Sequence, residues 1–182
     1  GKMERQPLEL HLSDHKTHQL QRSPVFDDGT CGGQKIESKI EAYVGIASEL
    51  VKNALLALEN PQDIPGPLNR IFHIAPEDTL YLFLLNENLT RLEQKLAAPV
   101  QSRCRTRSDL RRAGEKRAPR AYADLDQETQ TAAADAGIVY NRNIFRITGA
   151  TIRREIVNTV LHEYLHLVRV GHGEEDPGAP IE

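Results

Sequence analysis

The sequence predicts a single α+β domain in which helices pack on a small sheet. Three stretches repeat apolar residues at three- and four-residue intervals, and two shorter ones mix β-branched and aromatic residues with polar ones. At 182 residues there is room for one hydrophobic core and little more. A net charge of −3, with 39% apolar and 27% charged residues, describes a globular chain whose overall charge names no partner. No stretch approaches the roughly 20 apolar residues of a membrane-spanning helix, so no membrane partner is expected.

Residues 1–33 are polar, show no sustained period, and end in DDGTCGG, which reads as a turn or linker. They are expected to form a poorly ordered lead-in to a domain spanning 34–182. They also lack the apolar core of a secretory signal peptide. From Gln34 to Asn60, Ile36, Ile40, Tyr43, Val44, Ala47, Leu50, Val51, Ala54, Leu55 and Leu58 mark a long amphipathic helix, stopped by PQDIPGP. A second helix is expected from about Pro76 to Ala98. Pro76, Glu77 and Asp78 suit its first turn, and Leu80, Phe83, Leu84, Leu89, Leu92 and Leu96 make its buried face.

Val100 to Arg107 alternates enough for a strand and leads into a basic stretch that includes Arg103, Arg105, Arg107, Arg111, Arg112, Lys116, Arg117 and Arg120. Without interleaved aromatics this reads as a solvated loop, with a nucleic-acid patch as the alternative. GIVYNRNIFRI, 137–147, reads as a second strand, and Thr148 and Gly149 as a turn. A last helix runs from Thr151 to Gly171. Cys31 and Cys104 remain as two separate thiols or form one bridge tying the start of the domain to its middle, which would suit an oxidising compartment. His11, His15 and His18 share helical spacing within the lead-in and read as an exposed cluster.

The last helix carries His162, Glu163 and His166, an H-E-x-x-H pattern. Histidines four apart on a helix differ by about 40° in azimuth and roughly 6 Å in rise, so both rings reach one cation. Glu163, turned about 100° from His162, is placed to serve a water as general base. Shuffled copies of this composition would contain the pattern about two per cent of the time, so its helical setting has to carry the inference. That setting predicts a zinc site. A third ligand must come from beyond the helix, where His172, Glu174, Glu175 and Asp176 follow the glycine at 171.

HEYLHLVRVGH has the ligand spacing of the metzincins, with His172 in third place. Arg169 stands where that family has its turn glycine, and the only methionine is Met3. The segment more closely resembles the aspzincins, the deuterolysin-like and peptidyl-lysine metalloendopeptidases. The resemblance implies a zincin-like domain in which His162, His166 and Asp176 hold zinc, with His172 as the alternative third ligand, and Glu163 is the base. The tyrosine that this family carries soon after its aspartate has no counterpart before Glu182, so the resemblance implies either a domain shortened at its C-terminal end or an oxyanion stabilised in another way. In zincins an edge strand beside the metal pairs with an extended substrate. Residues 138–146 are the candidate, with Val139, Tyr140 and Asn141 as substrate-binding residues; an ordinary half-buried strand is the alternative.

The expected function is therefore that of a zinc-dependent endopeptidase acting on proteins or peptides, secreted or translocated as a bacterial toxin or effector. A zinc-binding but inactive zincin used for recognition, and a nucleic-acid-binding domain using residues 103–120, are the alternatives.

Overall fold

Gln34–Leu58 forms the first helix, α1, with Ile40, Val44, Ala47 and Val51 buried along one face, as the spacing requires. The computed structural model describes residues 23–26, 29–112, 119–123, 137–146 and 149–168. The proline-rich segment after α1 breaks into single turns over Pro61–Phe72. The second helix, α2, covers Thr79–Ala97 and begins three residues later than expected. Asp78 stands at its N-cap and accepts the Ala75 backbone N–H at 2.8 Å, so Pro76, Glu77 and Asp78 form the turn before the helix.

The buried face of α2 also needs correction. Leu92 and Leu96 are buried and Leu89 packs partly, but Leu80, Phe83 and Leu84 are 65%, 61% and 44% exposed. The first two turns are apolar on every side, so spacing alone selects no face there. Leu92 and Leu96 set the direction of the core, and Leu80 and Phe83 lie roughly 140–160° round the helix from Leu96.

Three short strands form one sheet: β1 (Ser102–Arg105), β2 (Ala121–Ala123) and β3 (Ile138–Asn141), in the order β1-β3-β2. β3 pairs parallel with β1 and antiparallel with β2. The expected second strand is thus shorter than 137–147, because Arg142–Arg146 turns into a 3₁₀ helix. There Asn141 Oδ1 accepts the Asn143 backbone N–H and offers the chain a turn in place of the ladder. The basic stretch opens with a six-residue helix, α3 (Arg107–Arg112), and the final helix, α4, spans Ala150–Leu167.

Alternation divides the sheet. Cys104, Ala121, Ala123, Ile138 and Tyr140 face the helices and join their core. Arg103, Arg105, Tyr122, Val139 and Asn141 occupy the other face. α1 packs on both α2 and α4, and α4 lies against β2. Gly137 opens β3 because the backbone of Gln101 passes close by: a Cβ at 137 would stand 2.5 Å from the Gln101 carbonyl oxygen. Ile138 N–H donates to that same oxygen.

The lead-in is part of this fold from residue 23 onward. Val25 bridges to Gln101 in parallel, donating to Val100 C=O and accepting from Ser102 N–H. Ser23 is buried, and its hydroxyl is hydrogen-bonded to the Tyr164 hydroxyl on α4. Cys31 and Cys104 form a disulfide across 73 residues of sequence. Closing a loop of that length stabilises the folded state by about 4 kcal/mol on the chain-entropy view. The expectation of a poorly ordered lead-in therefore fails for 23–26 and 29–33. These residues carry long-range pairings that no local periodicity announces.

Candidate functional site

α4 turns His162 and His166 onto one side, and their Nε2 atoms lie 3.1 Å apart with the rings nearly perpendicular. The two ring nitrogens are hydrogen-bonded to each other, and their separation is close to the roughly 3.3 Å between two nitrogens that share one tetrahedral zinc at 2.0–2.1 Å. His166 is buried at 5% exposure and His162 is half-buried. Among the described residues, no group of three or more His, Cys, Asp or Glu side chains converges on a metal position. The expected third ligands, Asp176 and His172, lie outside the described residues, as do Glu174, Glu175 and the cluster His11, His15 and His18.

Glu163 is 7% exposed. Burial pushes its carboxyl up to about 7, and a hydrogen bond from the Ala123 backbone N–H acts in the opposite direction. Register explains how a strand amide becomes available to it. Asn141 N–H donates to Arg120 C=O at 2.8 Å, which makes Arg120–Asn141 a bonded pair of the antiparallel ladder. Bonded and non-bonded pairs alternate, so Ala121 and Ala123 direct their N–H and C=O groups away from β3, toward the outer edge of the sheet. Ala123 uses its N–H on Glu163; Ala121 presents both of its groups at that edge.

A cleft of about 530 Å³ runs between this edge and α4, lined by Pro119, Arg120 and Ala121 on the strand side and by Glu155, Asn158, Thr159, His162 and Glu163 on the helix side. At the end away from Glu163, Arg120 and Glu155 form an ion pair at 2.8 Å.

The expected substrate strand is corrected by this arrangement. β3 is the central strand, flanked by β1 and β2, and Val139, Tyr140 and Asn141 are 1%, 0% and 5% exposed. Its backbone is taken up on both sides and offers no edge to a peptide. The edge beside α4 belongs to β2, which sequence reasoning missed because Ala121, Tyr122 and Ala123 give only three residues of alternation. Glu155 and Thr159 had a usable signal: they precede His162 by seven and three residues and therefore share its helix face.

Beneath α4, the Tyr164 hydroxyl meets Ser23, and burial raises its pKa while the Ser23 bond lowers it. The Tyr140 hydroxyl is buried with no hydrogen-bond partner among the described residues. Burial, followed by the charges of Tyr164 and Glu163, drives it well above the ordinary tyrosine range. Of the basic stretch, Arg103, Arg105 and Arg107 are exposed, while Lys116 and Arg117 lie outside the described residues. No helix among the described residues is long and apolar enough to cross a membrane. No family model matches the chain, and no curated protein or solved structure matches it.

Proposed function

We propose that the protein is a zinc-dependent endopeptidase of zincin-like build, with His162 and His166 as zinc ligands, Asp176 as the third ligand and Glu163 as general base. The observation that carries this reading is the convergence of the two Nε2 atoms to 3.1 Å beside a buried carboxylate at the head of a cleft. Zinc, when bound, supplies Lewis acidity to a substrate carbonyl and to a water.

The chain's own residues do the rest. Glu163, buried next to His162 on the same helix, accepts a proton and returns it to a leaving amine. Ala123 N–H fixes the orientation of that carboxylate. The outward N–H and C=O of Ala121 pair with an extended peptide lying in the cleft, so β2 takes the role that the resemblance gave to residues 138–146. This edge geometry supports the reading of a protein or peptide as the substrate. We propose secretion or translocation as a toxin or effector as the setting, which the Cys31–Cys104 bridge favours.

Elemental analysis and a cleavage assay on an unfolded protein test the reading together. Glu163→Gln is expected to keep zinc and lose cleavage, whereas His162→Ala loses both. Zinc content unaffected by both His162→Ala and a chelator would refute the metal site. Zinc present without any cleavage would leave an inactive zincin. Chelator-resistant, salt-sensitive binding of nucleic acid would favour residues 103–120 as the working surface.

A further inference from the structure

We infer that Arg120 is a specificity-determining residue of the cleft, reading a substrate carboxylate about three residues from the bond that is cut. The inference rests on the peptidase reading and deepens it.

Length and direction come first. The strand side is Pro119, Arg120 and Ala121, and Ala123, whose N–H meets Glu163, lies two residues further on, so Arg120 and Ala123 stand about 10 Å apart at 3.3 Å per residue. The helix side runs from Glu155 to Glu163, about 12 Å at 1.5 Å per residue. Arg120 meets Glu155 at one end and Ala123 meets Glu163 at the other, so strand and helix run side by side in the same direction. The cleft is a channel long enough for about three extended residues, with the reacting carboxylate at its head and an ion pair at its foot.

Charge comes next. The side chains of Arg120 and Glu155 are 48% and 41% exposed, so their pairing contributes little to stability and leaves the guanidinium within reach of a second partner. Arg120 belongs to the segment beside which the peptide lies; Glu155 lies across the channel on the helix. A peptide bonded to the outer edge at Ala121 sets its neighbouring residue opposite Arg120, within reach of a direct cross-strand pair. A guanidinium carries five donors in a planar fork and can hold a second carboxylate while keeping the first. Glu155 therefore holds the fork in the channel, and the incoming carboxylate occupies its free side. That carboxylate belongs either to an Asp or Glu side chain or to the C-terminus of the substrate.

Cleavage-site profiling tests this on the zinc-loaded protein, using a mixed peptide library synthesised with free and with amidated C-termini. The wild type is expected to favour peptides with a carboxylate at the position facing Arg120 by about fivefold over neutral ones, less at high salt. Arg120→Ala is expected to remove the preference, and Arg120→Glu to turn it toward Lys and Arg. If the preference follows Asp and Glu in amidated peptides, the side chain is the source; if it vanishes on amidation, the C-terminus is. Cleavage with no carboxylate preference, or a preference unchanged in Arg120→Glu, overturns the inference and leaves the peptidase standing. Absence of cleavage by the wild type overturns both.

Discussion

Replacing Glu163 by glutamine is expected to stabilise the metal-free protein, and to do so only above mildly acid pH. Burial at 7% exposure lifts the carboxyl from its ordinary 4.5 to about 7, despite the Ala123 hydrogen bond. A folded-state pKa above the unfolded one means that the folded protein binds the extra proton between these values. The contribution is fully present below pH 4.5 and is lost as pH rises through 7. A shift of this size corresponds to roughly 3 kcal/mol at most, lost from the wild type across that window. Glutamine keeps an acceptor for Ala123 N–H and has no charge to bury. The two proteins should be equally stable near pH 4, and the variant more stable at pH 8 by roughly 2–3 kcal/mol, or several degrees in Tm. Urea unfolding in the presence of a chelator, followed by circular dichroism at both pH values, measures the difference. In saturating zinc the difference should shrink, because a divalent cation held by His162 and His166 favours the ionised carboxylate. A variant whose advantage is the same at pH 4 and pH 8, or is absent at both, would refute the account of a carboxylate whose ionised form is disfavoured by burial.

Two further predictions concern the frame around the site. Gly137→Ala would drive a Cβ into the Gln101 carbonyl oxygen and should cost about 2 kcal/mol in denaturant unfolding, because backbone rather than a flexible side chain is in the way. The Ser23 and Tyr164 hydroxyls satisfy each other in the interior. Ser23→Ala and Tyr164→Phe should therefore each cost about 1–2 kcal/mol, while the double variant should cost clearly less than their sum. Strict additivity in that cycle would show that the lead-in does not support α4.

Local pattern was enough for α1 and α4 and for the motif that α4 carries. The period of α1, the stop at Pro61 and the H-E-x-x-H face of α4 follow from backbone geometry and side-chain direction within a few turns. Those constraints act over distances that a sequence window spans. The pattern was silent or misleading where neighbours decide. Leu80 and Phe83 belong to an apolar run, and only the direction set by Leu92 and Leu96 turns them to solvent. Ile138–Asn141 reads as a strand from sequence, yet its place in the middle of the sheet depends on β1 and β2 pairing along both sides.

Helix geometry alone groups His162, Glu163 and His166 from the sequence; Glu155 and Thr159 share that helix but gained a role only once the cleft was seen. The tertiary structure decided what faces them. It placed Pro119, Arg120 and Ala121, not β3, along the cleft, and turned Ala123 N–H onto Glu163. It also brought Arg120 to Glu155 across 35 positions of chain and tied Ser23 and Cys31 into a domain they precede. Helical neighbours are fixed by a repeat of 3.6 residues, whereas strand partners are chosen by pairing between segments far apart, for which no local period exists.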